Sequence, residues 1–329
     1  MSEDTKMAVV ENVKTSNKGY ELHAEFRNFP VTFVNALRRI TLNGIPTVVI
    51  RDVQILENTT QLPHEMLKHR VEMLPVNVSP EDLSTVKEAK IEMRILPDKD
   101  GKEIRTITTD DFVIESSRGR ILMRDRDFDT PILFVRVRPG ESLHIKARLA
   151  VESQSVSQVC VAATSWHVDP ELAKQDKKAW VEAGNDPVAF DNFYIQKSFS
   201  RDEKGRPNWI DMNIESVGVL EAKDILRYAV GILRKRLEVY MKEALENIAR
   251  EKEDGAYSIS LEQGGHTLGA LLQEVIYSDL NVDFVGYDIP HPLRNTMVLR
   301  FLTKKSPEAV LRNANDAIEE YCSLVEKVL

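Results

Sequence analysis

Between Leu226 and Ile248 the apolar residues recur in steps of three and four: Leu226, Val230, Leu233, Leu237, Tyr240, Ala244 and Ile248. That spacing keeps them on one stripe of a helix, and it predicts a helix over 221–249 close to coiled-coil periodicity. A stripe of that length is more than a small lone domain can cover, so the chain must supply a second long surface to bury it. Ser306-Pro307, an N-cap and first-turn pair, open a suitable helix over 307–328 with the stripe Val310, Ala314, Ala317, Tyr321, Leu324 and Val328.

Each long helix has similar company. Strand 20–27, helix 31–43 and strand 47–56 are echoed by strand 257–262, helix 267–277 and strand 282–289. Laid without gaps over "TLGALLQEV", the segment "TFVNALRRI" matches Thr32 with Thr267 and Leu37 with Leu272. The repeated order of elements predicts a pseudo-symmetric pair of halves. Segment 62–76, "LPHEMLKHRVEMLPV", reads as a short helix ended by Pro75. From about 79 to 205 short β-rich runs alternate with turn clusters such as "PDKDG" and "RPG", followed by the polar, helical or loop-like "DPELAKQDKKAWVEAGNDP". "WIDMNIESVGVL" (209–220) returns as a strand, and "REKEDGA" (250–256) is a charged break. The expected fold class is α+β. One half spans 1–78 plus 206–250, a β-rich domain is inserted at 79–205, a linker covers 251–256, and the second half spans 257–329.

Composition narrows the function. Of 329 residues, 42% are hydrophobic and 29% charged, as in a folded globular protein. A net charge of −8 argues against a chain whose main task is gripping nucleic acid. Cys160 and Cys322 are the two cysteines, too few for a disulfide framework or a Cys-rich zinc site, and their apolar neighbours suggest buried thiols. The start, "MSEDTK", lacks the features of a signal peptide, and no apolar run approaches the roughly 20 residues that span a bilayer. The expectation is a soluble protein from a reducing compartment.

Catalytic patterns fail on spacing. In "HEMLKH" the histidines His64 and His69 stand five apart, which turns one roughly 140° from the other and off the shared face a zinc helix needs. "RDRDFDTP" places Asp125, Asp127 and Asp129 at calcium-loop spacing, but Thr130 stands where glycine is needed and Arg136 where a bidentate Glu is needed. "SISLEQGGHTLG", with Asp288 about 20 residues on, is a candidate dinucleotide turn. There His266 occupies the position where a glycine lets the backbone approach the pyrophosphate. A nucleotide-binding enzyme using 264–269 therefore stays as the alternative reading, beside an interaction scaffold outside transcription. No P-loop, GxSxG or Asp-rich polymerase motif is present, so no catalytic residue, metal site or cofactor is assigned.

The motifs themselves are recognisable. "FVNALRRITLNGIPTVVI" resembles the assembly motif of the bacterial RNA polymerase α subunit and its archaeal D and eukaryotic third-subunit relatives. "LKHRVEMLPV" and "WIDMNIESVGVL" are similar to later stretches of that family. "EQGGHTLGALLQE", "VDFVGYDIPHPL" and "TMVLRF" resemble the archaeal L and eukaryotic eleventh subunits. The resemblance covers nearly the whole chain and implies a D/L-type pair fused in one polypeptide, an assembly scaffold rather than an enzyme. The chain departs from the L-like pattern at Ala270, where asparagine is usual. The insert also lacks the cysteines that hold zinc or an iron–sulfur cluster in some relatives.

By the same resemblance, Asn35, Arg38, Arg39, His69 and Arg70 are the large-subunit contact set. Phe33, Leu37, Ile40, Leu268, Leu271, Leu272 and Val275 form the dimerisation core. His266, Thr267, Gly269, Pro290, His291 and Pro292 carry the L-like motif. The implied partners are the second-largest and largest polymerase subunits, with small subunits similar to the eukaryotic tenth and twelfth, and no membrane or dominant nucleic-acid contact. Cells keep the two partners on separate genes and large DNA viruses fuse them. The resemblance thus implies a viral polymerase, located in the virion and host cytoplasm, with the nucleus as the alternative.

Overall fold

The structure, a computed structural model, describes residues 7–98, 103–153, 159–203, 205–262, 264–294 and 296–329. The "MSEDTK" start and most of the expected "PDKDG" turn lie outside them. In chain order the elements are β1 (Val9–Ser16), β2 (Glu21–Arg27), α1 (Val31–Asn43), β3 (Thr47–Asn58), α2 (His64–Glu72), α3 (Leu83–Glu88), β4 (Lys90–Ile95), β5 (Arg105–Thr108), β6 (Val113–Glu115), β7 (Leu133–Val137), β8 (Leu143–Glu152) and β9 (Cys160–Trp166). They continue with α4 (Pro170–Glu182), α5 (Pro187–Ala189), β10 (Trp209–Ser216), α6 (Ala222–Glu246), β11 (Ile248–Arg250), β12 (Ala256–Leu261), α7 (Gly265–Tyr277), β13 (Val282–Asp288), β14 (Met297–Thr303) and α8 (Pro307–Glu326). The architecture is α+β, as expected.

Two compact units form, cut along different lines from the expected segments. One comprises Met1–Thr41, Ala162–Glu215 and Ala222–Leu329; the other comprises Leu42–Val161 and Ser216–Glu221. Strand β3 and helix α2, expected with the first half, fold inside the second unit. The reason is pairing: β3 runs antiparallel along β8 from Thr47↔Glu152 to Asn58↔Leu143, and Leu67 and Val71 of α2 join that unit's core. Conversely most of 162–205, expected in the insert, belongs to the first unit, where β9 completes the sheet β1-β2-β10-β9.

In the first unit a second sheet, in the order β11-β12-β14-β13, is antiparallel throughout. The four helices of the two halves bury their apolar stripes here. On α6 the residues Leu226, Val230, Leu233, Leu237, Tyr240 and Ala244 are all buried. The helix stops at Glu246, short of the expected 249, where the Asn247 side chain donates to the Glu243 carbonyl (2.8 Å). Ile248 then enters β11, so the expected linker at 251–256 is a tight β11–β12 hairpin closed by the Glu251 N–H donating to the Ala256 carbonyl (2.9 Å).

On α8 the buried stripe is Val310, Leu311, Ala314, Ile318, Cys322 and Val325, turned by about one residue from the expected one. The cause is visible at Tyr321. It stays half-buried because its ring lies 5.5 Å from both Phe29 and Phe33, at the edge of the core rather than in it. Arg234 of α6 ties the two long helices together through Glu319 and Glu326, both at 2.6 Å. Both cysteines are buried, and burial pushes the Cys322 thiol up to about 12.

The second unit has the sheet β3-β8-β4-β6, the ribbon β5-β7, and a core drawn from both together with α2 and α3. Its "RDRDFDTP" segment is a turn in which the Asp125 carboxylate accepts from the N–H groups of Asp127 and Phe128. His64 and His69 are both exposed on α2.

Candidate assembly interface

Helix α1 begins just after Pro30, whose carbonyl accepts from the N–H groups of Phe33 and Val34. It buries Phe33, Leu37 and Ile40 to 1% exposure or less. Helix α7 buries Leu268, Leu271, Leu272 and Val275 to 6% exposure or less. All seven residues expected in the dimerisation core are buried, and Phe33, Leu37 and Ile40 overlay Leu268, Leu272 and Val275 in the ungapped match of the two helices.

The same overlay matches Thr32 with Thr267 and Arg39 with Glu274, and these four residues bond across the halves. Thr32 donates from both its backbone N–H (3.0 Å) and its hydroxyl (2.6 Å) to Glu274 Oε2. Arg39 Nε donates to Thr267 Oγ1 (2.8 Å). Each threonine near one helix's start thus meets the seventh residue onward in the other helix. This is the reciprocity of a two-fold contact, in which i touches j and j touches i. A carboxylate at the first turn of α1 also satisfies an otherwise orphan N–H and complements the helix dipole.

The geometry redistributes the expected contact set. Arg39, expected to face a partner subunit, spends its Nε on the second half of its own chain. Asn35 and Arg38 instead pair with each other one turn apart, Arg38 Nε and Nη2 donating to Asn35 Oδ1 at 3.1 and 2.9 Å. Asn35 lies exposed at one side of a groove of about 740 Å³ within the first unit, lined also by Val34, Trp166, His167 and Gln196. In the second unit His69 is exposed, while Arg70 donates to the Phe134 carbonyl (2.8 Å).

The L-like motif residues divide in the same way. An added Cβ at Gly269 would lie 2.5 Å from Tyr287 Cδ2 and 2.8 Å from Met297 Sδ, so only glycine fits beneath that ring. His266 is edge-on to the same Tyr287 ring, its Nδ1 3.4 Å from the hydroxyl. Tyr287 therefore joins the "HTLG" segment to the "GYDIPHPL" segment. Pro290, His291 and Pro292 lie exposed in a turn, where His291 Nδ1 accepts from the Leu293 N–H (3.1 Å). The dinucleotide alternative finds no support in this topology. The strands flanking the 264–269 turn, β12 and β13, are separated by β14, which runs antiparallel to both, whereas that site needs a βαβ unit of adjacent parallel strands.

Comparison with known proteins defines the class. Residues 24–237 and, separately, residues 256–328 match the RNA polymerase Rpb3/Rpb11 dimerisation domain, and the chain belongs to this family. Among its relatives is the DNA-directed RNA polymerase subunit Rpo3 of Methanocaldococcus jannaschii, 23% identical over 65% of this chain and 85% of the relative. The DNA-directed RNA polymerase II subunit RPB3 of Schizosaccharomyces pombe is 25% identical over 66% and 81%. Subunit RPAC1 of RNA polymerases I and III of Saccharomyces cerevisiae is 22% identical over 68% and 83%.

Proposed function

We propose that the chain is a non-catalytic assembly subunit of a multisubunit DNA-dependent RNA polymerase. In this reading it is an α-like heterodimer contained in one polypeptide, and it joins the two largest subunits. The observation that carries the reading is the reciprocal bonding of Thr32 with Glu274 and of Arg39 with Thr267, made by helices of two separate dimerisation-domain matches. Two such matches in one chain also support a fused pair of the kind large DNA viruses encode. With Arg39 engaged internally, Asn35 and Arg38 are the α1 residues assigned to the second-largest subunit. Arginine suits that contact because its planar fork bonds carboxylates or carbonyls in pairs.

The test is a pull-down of the second-largest subunit by the tagged chain. Removing the exposed Asn35 side chain and the half-buried Arg38 side chain together should change folding by less than about 1 kcal/mol. The same double change to Ala should weaken capture by about 2–5 kcal/mol, the loss expected when buried polar partners go unpaired. Leu37→Ala should act in the opposite order, destabilising the fold by about 2–5 kcal/mol first. Capture at unchanged strength by Asn35→Ala/Arg38→Ala would sink the assignment.

A further inference from the structure

On the face of the β1-β2-β10-β9 sheet opposite Leu22, Ala24 and Phe26, strands β2 and β10 set polar residues directly across from one another. His23 stands opposite Asn213, and Glu25 opposite Asp211. One nitrogen of His23 and one oxygen each of Glu25 and Asp211 lie within 4.8 Å of one another. The surroundings orient all three. His23 Nδ1 donates to Asn213 Oδ1 (2.8 Å), which leaves its Nε2 facing Glu25 Oε1 at 3.6 Å. Glu25 is buried, and its two oxygens accept from Asn12 Nδ2 (3.0 Å) and Trp209 Nε1 (3.1 Å). Asp211 Oδ1 is held by His167 Nδ1 (2.8 Å), and the His167 ring in turn stacks on Trp209 at 3.9 Å.

An amide oxygen only accepts, so the bond to Asn213 commits the Nδ1 proton and turns an Nε2 lone pair toward a carboxylate oxygen. Two lone pairs do not hold each other at 3.6 Å. A cation held between them would turn that repulsion into attraction. Ligand bonds near 2.0–2.2 Å place two ligand atoms on a tetrahedral ion roughly 3.3–3.5 Å apart, close to the observed gap.

We infer that His23 Nε2, Glu25 and Asp211 form a site for a first-row divalent cation of the zinc type, with solvent completing the shell. One imidazole and two carboxylates suit such ions, and Asn213 and His167 are the outer partners that fix ligand orientation.

The experiment uses the 329-residue chain, freed of metal by chelator and titrated with zinc or cobalt(II) by calorimetry. One ion per chain is expected, and His23→Gln and Asp211→Asn should each weaken binding by about tenfold or more, whereas His64→Gln should leave it unchanged. A readout needing no variant at the site is broadening of the Trp209 indole N–H resonance by cobalt(II) ahead of that of Trp180. No saturable binding, equal broadening of both resonances, or full binding by a folded His23→Gln chain would overturn the site.

Discussion

Gly269→Ala isolates the packing that joins the two motifs of the second half. Local propensity favours the change, because alanine gains roughly 1 kcal/mol over glycine inside a helix. Packing opposes it. The new methyl would meet Tyr287 Cδ2 at 2.5 Å, Tyr287 Cγ at 2.8 Å and Met297 Sδ at 2.8 Å. Two of these atoms are the root of the tyrosine ring rather than a loose end, so relief requires the whole ring to move away from His266 and from α7. Met297 is fully buried, so its movement must also displace core neighbours. Overpacking of this kind costs typically 1–3 kcal/mol, and a ring displaced from its stem belongs at the upper end. The net expectation is destabilisation of about 1–2 kcal/mol. Gly231→Ala is the internal control: Gly231 sits inside α6 with nothing within 4 Å of an added Cβ, so there the propensity gain of about 0.5–1 kcal/mol should appear unopposed. Urea unfolding followed by far-UV circular dichroism measures both. Unfolding of Gly269→Ala at the same or higher urea than the parent would show that the Tyr287 ring does not oppose a methyl at position 269.

Two other changes test burial and charge. The hydroxyl of fully buried Tyr240 meets no hydrogen-bond partner among the described residues, so Tyr240→Phe should be neutral or stabilising by up to about 1 kcal/mol. A clear loss in the same urea assay would mean that the hydroxyl is bonded. Asp279 accepts from the Asn281 side chain and backbone and pairs with Lys305, which hold its carboxyl at about 2, down from 3.8. A depressed carboxyl stabilises the fold above its unfolded value and loses that contribution as pH falls from about 4 toward about 2. Asp279→Asn should accordingly cost on the order of 1–2 kcal/mol at pH 7, with the gap to the parent closing near pH 2. A gap that stays constant between pH 7 and pH 3 and again at pH 2 would refute the carboxylate's role.

Helical periodicity was legible because it is local. The stripe Leu226–Ala244 needs only the 3.6-residue turn to declare a face, and the cores of α1 and α7 follow from the same rule. The pseudo-repeat of strand, helix and strand was readable for the same reason, as were the buried cysteines. Tertiary pairing decided the rest. Strand β1 is mostly exposed and broken by a bulge near Asn12, so it has no apolar alternation to reveal it, and three-residue β11 exists only because β12 pairs with it. Membership of β3 in the second unit depends on β8, about a hundred residues later in the chain, as the Arg51–Glu152 bond shows with its separation of 101. The stripe of α8 could be placed only to within a residue, because Tyr321 satisfies a helical period equally well in the core or at its edge. Arg39 was expected, from resemblance, among the contacts to a large subunit. Its partner Thr267 lies 228 residues away, and His23 meets Asn213 across 190. A one-dimensional pattern specifies which face a side chain occupies. Which residue waits on the other side of that face is set by chain closure over such distances, and only the folded molecule contains it.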